Sequence, residues 1–302
     1  MMEYPLFSEF DVSAWIPAAV EKPTWQELMC RRLDWNARTK DIRLADWENK
    51  LGMKEIWAHR RIPTAEVFYQ AGGEIFDPDD LREVCARLLD VKQPFVLKPA
   101  HLCGSEAVYL SSDGTLQAAE SFSPVGDHCS RGRKGVTLDE AVNEIAKKML
   151  VRCHEREAWA LRQSLPGVVV EGYIPFDADL RIMTLWGEIH GAVLGGDCRL
   201  WIDADGHLSW EAEAGYGWLR SFWPTIACLS KAVAAGTDML RVDFFVRRTS
   251  DVFVNEMCAF VWPESTTFAP FHEDFVQALL RGYRRRRKVF VERRFGRIHG
   301  RN

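Results

Sequence analysis

The sequence has no CxxC pair among its eight cysteines (Cys30, Cys85, Cys103, Cys129, Cys153, Cys198, Cys228 and Cys258). Neither a zinc ribbon nor a disulfide framework is signalled by that spacing, and scattered single cysteines suit a reducing cytosol. No apolar run reaches the roughly 18 residues that would make a membrane-crossing helix a candidate. The opening MMEYPLFSEFDVSAW has no basic stretch leading into an apolar one, so no secretory leader is read there. GxGxxG and P-loop motifs are both missing, which removes the two commonest glycine-rich nucleotide sites. Together these absences describe a soluble cytoplasmic protein.

What is present is a 302-residue chain, 47% hydrophobic and 27% charged, with a formal net charge of −4. That length allows one large domain or two to three subdomains, each with a core. Twelve tryptophans have no evident role beyond core packing. Charge is uneven. Residues 281–302 hold ten Lys and Arg against the single Glu292, so the remainder is acidic. Such a tail could meet nucleic acid, but it has few aromatics to stack bases and reads as a solvated helix end.

In chain order, residues 1–45 show no clean period and read as a leading segment. Asp46–Trp57 reads as a helix ending near His59. Glu66–Tyr69 is extended, and Asp77-Pro78 opens a helix with Leu81, Val84, Cys85 and Leu88 on one stripe. Pro94–Pro99 is a short buried strand, 107–110 a second extended piece, and 126–135 a polar loop. Thr137 and Glu140 form a capping box for a helix through Arg152. Val168–Tyr173 is a strand that is apolar until Glu171. Leu180–Leu194 is a hairpin, with another around Asp203–Gly206. A helix over 226–235 feeds the next strand, and an amphipathic helix with Phe275, Val276, Leu279 and Leu280 follows an irregular 259–270. Helices mixed with hairpins predict an α+β fold with antiparallel sheets, not a doubly wound sheet.

The chemistry concentrates in MLRVDFFVRRTSDVFVNE, Met239–Glu256. Two β-prone runs flank a polar break, as in a hairpin. A turn centred between Thr249 and Ser250 puts Asp243 opposite Glu256. Carboxylates so placed repel unless a proton or a cation lies between them. Hard oxygens of this kind suit Mg2+ that also holds phosphates. Arg241, two residues earlier, shares their face. One cation beside two anions describes a metal–phosphate site or, alternatively, a solvated hairpin face with a neutralising arginine.

The order of these pieces resembles the ATP-grasp superfamily over about residues 46–280, closest to TupA-like ATP-grasp proteins and D-alanine–D-alanine ligases. FVLKPAHLCGSEAVYL is similar to the family's lysine-plus-loop segment, and REAWALRQSLPGVVVEGYI to its approach to the hinge. LRVDFFV with VFVNE resembles its metal hairpin, and TTFAPFHEDF the stretch after it. The resemblance implies two α+β subdomains, 46–170 and 171–280, clamping a nucleotide, with 1–45 leading and 281–302 as a basic tail.

It also implies ATP and Mg2+ as cofactors. Lys50 and Lys98 match the phosphate-binding lysines, with Lys54 a rival for Lys50. Gly104 and Ser105 match the loop over the phosphates, which His101 could assist. Glu171, Gly172, Tyr173 and Ile174 match the adenine hinge. Asp179, or Asp177 if the register slips, matches the ribose ligand, and Arg181 could reach phosphate. Arg241, with Lys98, would support the transferring phosphoryl group. Asp243 and Glu256 match the metal ligands. Relatives carry an asparagine two residues after the glutamate, where this chain has Cys258, a thiol poorly suited to Mg2+. Asn255, Ser265 or water would then complete the shell. The implied activity is ligation of a small-molecule carboxylate to an amine through an acyl phosphate. The alternatives are a kinase acting on a hydroxyl and a weakly catalytic nucleotide-binding assembly factor. Nucleic acid is not the expected partner, although the basic tail leaves it open, and the oligomeric state is not read.

Overall fold

A computed structural model describes residues 23–40, 45, 49–102, 107–118, 134–151, 159–249, 251–259, 261 and 265–295, with the side chains of 39, 74 and 286–295 left aside. Among the described residues every strand pairing is antiparallel. The strands form two sheets. The first comprises β1 (Val67–Gly72), β2 (Phe95–Pro99), β3 (Tyr109–Ser111), β4 (Leu116–Ala118), β5 (Lys134–Gly135) and β6 (Gly167–Gly172), in the order β1-β6-β2-β3-β4-β5. The second comprises β7 (Ala178–Leu185), β8 (Glu188–Leu194), β9 (Asp197–Ile202), β10 (Met239–Val246) and β11 (Val252–Cys258), in the order β11-β10-β7-β8-β9. The expected α+β architecture with antiparallel sheets is the observed one. None of the helices described is both long and apolar enough to cross a membrane.

Each sheet buries one face under helices and leaves part of the other for chemistry. In β2 the period-2 alternation sends Phe95 and Leu97 into a core with Leu81 and Cys85 of one helix (Pro78–Asp90) and Val142 and Ile145 of another (Leu138–Lys148). Val96 and Lys98 therefore face the other way. In β10, Val242, Phe244 and Val246 pack with Ile226 and Val233 of the helix Trp223–Ala234. The odd-numbered residues of β10 occupy the opposite face. There Met239 lies under Phe275 and Leu279 of the long helix His272–Phe295. That apolar cover ends at Met239, and Arg241 and Asp243 come next along the strand. The site begins where the hydrophobic lid stops.

The helix Lys50–Arg60, here α2, fills the space between the sheets. Met53, Ile56 and Trp57 are buried in the core of the second sheet. Asn49 caps α2 by accepting from the Leu51 N–H at 2.9 Å.

Several elements differ from the sequence expectation. Trp25–Thr39, here α1, is a full helix with a Thr24/Glu27 capping box, inside what reads as an aperiodic leader. Its buried Trp25, Leu28 and Met29 pack on the long C-terminal helix, whose own stripe conceals the pattern. The helix after Thr137 stops at Lys148 instead of Arg152. Strands β4 and β5 are too short to carry a pattern, and most of the 126–135 loop lies outside the described residues. The turn around Asp203–Gly206 closes through a single Ile202–Leu208 bridge, followed by an unanticipated helix, Trp210–Tyr216. The C-terminal helix continues through the 280/281 boundary to Phe295.

A buried ionic cluster ties α1, the C-terminal helix and the start of β10 together. Arg32 donates to Asp238 at 2.5 Å and to the Tyr283 hydroxyl at 2.7 Å, and that hydroxyl donates to Asp238 in turn. Arg32 also reaches the Ala259 carbonyl just past β11. Removing one charge of a buried pair strands the other, at a cost of about 3–5 kcal/mol. Arg32→Met is therefore expected to destabilise by that amount in urea unfolding. Tyr283→Phe, which removes only hydrogen bonds to charged groups, is expected to cost about 1.5–3 kcal/mol. Equal losses in the two variants would mean that the arginine charge is not what the cluster depends on.

Candidate functional site

Asp243 and Glu256 are cross-strand partners in the β10–β11 ladder, as the sequence register requires. The route to that register is different from the expected symmetric turn. From Val246–Val252 to Phe244–Val254 the ladder is centred on Thr249, a register in which Asp243 would face Asn255. A bulge between Asp243 and Phe244 leaves Asn255 as the extra residue and shifts Glu256 opposite Asp243.

On this face the charges converge. Arg241 grips Asp243 with a two-pronged pair, Nε to Oδ1 and Nη2 to Oδ2, both 2.8 Å. Arg181 is the cross-strand neighbour of Asp243 on β7. Its guanidinium lies close over Gly196, where a Cβ would sit 2.9 Å from Nη1, and Gly196 has φ +76°. The positive φ is what favours glycine there, since the arginine end could shift aside. Lys50 comes from the first turn of α2, with Nζ donating to the Leu102 carbonyl at 2.7 Å and lying 3.8 Å from Glu256 Oε1. Cys258 faces Arg241 across the ladder.

Burial works to raise the pKa of both carboxylates. Asp243 stays raised, with Glu256 repulsion adding to burial and only partly offset by Arg241. At Glu256 the charges of Lys50, Arg241, Lys98 and Arg181 outweigh burial and hold it below its ordinary value. Two facing carboxylates form a hard-oxygen donor set that fits a divalent cation engaged with phosphate.

The first sheet faces this cluster with Lys98. On the same face of β6 lies Glu171, whose carboxylate is shared by two lysines. Lys98 pairs with Oε1, and Lys54 lies 2.6 Å from Oε2. Lys54 also donates to Thr64 Oγ1 at 2.8 Å. All three charged side chains are buried. Burial opposes the charge on Glu171, yet Lys98 and Lys54 together pull its pKa down to about 2. Burial lowers the pKa of Lys54 despite Glu171. Sequence reasoning assigned Glu171 a backbone role and did not foresee the side-chain pair. The signal was a lone carboxylate ending an all-apolar strand, which needs buried cations.

The other expected residues fall as follows. Lys50 and Lys54 separate: the first meets Glu256, the second Glu171. The N–H groups of Gly172 and Tyr173 donate to Glu66 and Pro94 carbonyls, and Ile174 follows them half-buried. Asp177 accepts from the Arg248 N–H at 2.8 Å and so braces the β10–β11 turn. Asp179 stays on the site face, 3.7 Å from Arg181. Ser265 accepts from the Thr267 N–H. Gly104 and Ser105 lie outside the described residues.

His101 departs from its expected phosphate contact. Its Nδ1 accepts from the Gly167 N–H, so Nε2 carries the proton and donates to the Val151 carbonyl at 2.9 Å. Burial lowers its pKa, and the neutral ring braces the base of the loop. One feature was missed entirely. Phe176 stacks flat on Phe245 at 4.3 Å, beside Asp243 on the hinge side, as an apolar shelf.

The depressed pKa of Glu171 has a sign that can be checked. A carboxylate with a lower pKa in the folded state stabilises the fold above its unfolded value. That contribution, roughly 3 kcal/mol, is lost as pH falls from about 4.5 toward about 2. Urea unfolding from pH 5 to pH 2.5 is expected to show the loss in the wild type. Glu171→Gln starts less stable but is expected to lose less over the same range. Parallel pH curves for the two proteins would remove Glu171 from the acid response.

No family model matches the chain, and no curated protein does. Solved structures that resemble it include a D-alanine–D-alanine ligase from Bacillus anthracis, 16% identical, covering 81% of this chain and 69% of that one with a TM-score of 0.42. D-cycloserine synthetase DcsG is 14% identical, covers 88% of this chain and 86% of its own, and has a TM-score of 0.46. A RimK domain protein, ATP-grasp, from Sphaerobacter thermophilus is 13% identical, covers 78% and 66% and has a TM-score of 0.44.

Proposed function

We propose that this chain is an ATP-dependent ligase of the ATP-grasp type, joining a small-molecule carboxylate to an amine. The observation that carries the proposal is the Asp243–Glu256 pair, set across one ladder and faced by Lys50, Lys98, Arg181 and Arg241. Two anions ringed by four cations form a site for a polyanion and the divalent ion that travels with it. Mg2+ would be held by Asp243 and Glu256, with Asn255 on the bulge beside them, and would neutralise charge on the phosphates.

In the reaction proposed, the γ-phosphoryl of ATP passes to a carboxylate oxygen of the substrate and ADP leaves. The amine then displaces phosphate to give the amide. Such transfer needs positioning and charge more than a covalent group of the enzyme. Lys98 and Lys50 supply positive charge from two different elements, β2 and α2. Arg241, already aligned by Asp243, offers the remaining edge of its guanidinium to charge that grows during transfer. The Phe176–Phe245 shelf offers an apolar surface for the base, and Asp179 a carboxylate for the ribose hydroxyls.

The experiment is an ADP-release screen over amino acids, dipeptides and uronic acids, with products read by mass. Amide product with ADP and phosphate supports the ligase. A phosphorylated hydroxyl would replace it with the kinase reading, and substrate-independent binding without turnover with the assembly-factor reading, which Cys258 opposite Arg241 favours. Arg241→Ala is expected to lower the catalytic rate about 100-fold, the scale of one lost oxyanion donor, with ATP affinity changed only a few-fold. Asp243→Asn is expected to abolish turnover. Full activity in Asp243→Asn would sink the site assignment.

A further inference from the structure

Lys98, the lysine that the proposed function directs at phosphate, is not waiting for it. It is paired with Glu171 in a buried place, 9% exposed. To reach an anion in the site it has to loosen that pair. If Glu171 had no other partner, loosening would leave a carboxylate, 4% exposed, without compensation, and the nucleotide would have to overcome that loss. The structure supplies a second cation on the other oxygen. Lys54 comes from α2, is itself 7% exposed, and is steadied by Thr64 Oγ1 and by the face of Trp57, 5.3 Å from its Nζ.

We infer that Lys54 is a positioning residue that releases Lys98. By neutralising Glu171 from its far oxygen, Lys54 allows Lys98 to turn from Glu171 to the nucleotide without stranding a buried charge. Its effect on ATP affinity passes through Glu171. The geometry favours this division of labour: Lys54 has two oxygen partners on its own side, Glu171 and Thr64, whereas Lys98 has Glu171 and a charge that is also felt at Glu256.

This inference rests on the reading of Lys98 as a phosphate contact, and the test separates the two. ATP and ADP affinities are measured by calorimetry for the wild type, Lys98→Met, Lys54→Met, Glu171→Gln and the Lys54→Met/Glu171→Gln double variant. Loss of affinity in Lys98→Met establishes the underlying reading by itself. Lys54→Met is then expected to weaken ATP about tenfold, because Glu171 now holds Lys98 alone. Glu171→Gln is expected to bind ATP at least as tightly as the wild type. In the Glu171→Gln background the further change Lys54→Met is expected to cost less than about twofold. Equal losses from Lys54→Met in both backgrounds would mean that Lys54 touches the nucleotide directly and would overturn the inference. So would wild-type affinity in Lys54→Met, or weaker binding in Glu171→Gln.

Should Lys54→Met fail to fold, Lys54→Gln is measured in both backgrounds with the same outcomes expected, and weaker binding in Glu171→Gln still overturns the inference. Wild-type affinity in Lys98→Met would fault the reading of Lys98 and this inference with it. A wild type that binds neither nucleotide would do the same.

Discussion

Two sets of carboxylates, one on each sheet, set the terms for the rest of the molecule. Glu171 on β6 and Asp243 on β10 are buried, and Glu256 on β11 stands half-buried against Asp243, so all three need cations close at hand to stay charged. Helix α2 meets both needs with two lysines one turn apart. Lys50 approaches Glu256 and Lys54 approaches Glu171, because residues i and i+4 lie on the same side of a helix. The helix is thereby fixed between the sheets by charge at its first turn and by Met53, Ile56 and Trp57 on its buried side. An Asn49 cap and a hydrogen bond from the Lys50 N–H to the Ala100 carbonyl set where that first turn begins. The relative placement of the two sheets and the charge state of the site are the same problem, with one solution.

Apolar packing draws the border of the site. On β10 one face is buried along its whole length, whereas the other is apolar at Met239, beneath the C-terminal helix, and at Phe245, against Phe176, with Arg241 and Asp243 between them. The Arg32–Asp238–Tyr283 cluster anchors that end just before the strand opens. Fixing Asp238 fixes the register of Arg241 and Asp243, two turns of the pleat further on. Rigid support at one end and charge at the other are what a site needs when it must be held in place without a substrate.

Much of this was legible in the sequence, and the failures have physical causes. The antiparallel hairpin was readable because two β-prone runs flank a polar break, but the facing of Asp243 and Glu256, read from a symmetric turn, is reached in the structure only through the bulge at Asn255. The apolar run before Lys98 was enough to read a short buried strand, which the structure has as Phe95–Pro99. Other features depend on partners far away in sequence. Trp25, Leu28 and Met29 look irregular until the C-terminal helix is laid beside them. Glu171 reads as the end of a strand, and only the distant Lys54 reveals it as a buried ion pair. His101 sits in a loop segment suited to phosphate, yet the backbone at Val151 and Gly167 occupies both its ring nitrogens.

The bulge at Asn255 has a consequence for how such a hairpin can change over time. Side-chain facing along a strand is a matter of parity, so one residue gained or lost within the paired part of β11 before Glu256 exchanges inside for outside. Here one odd residue in the ladder offsets a turn whose own centre has the wrong parity, since Phe244 pairs with Val254 but Asp243 with Glu256. Without that extra residue Glu256 would share the face of Val252 and Val254 and point into the hydrophobic core, so the bulge, and not the turn, decides on which side of the sheet the second carboxylate stands.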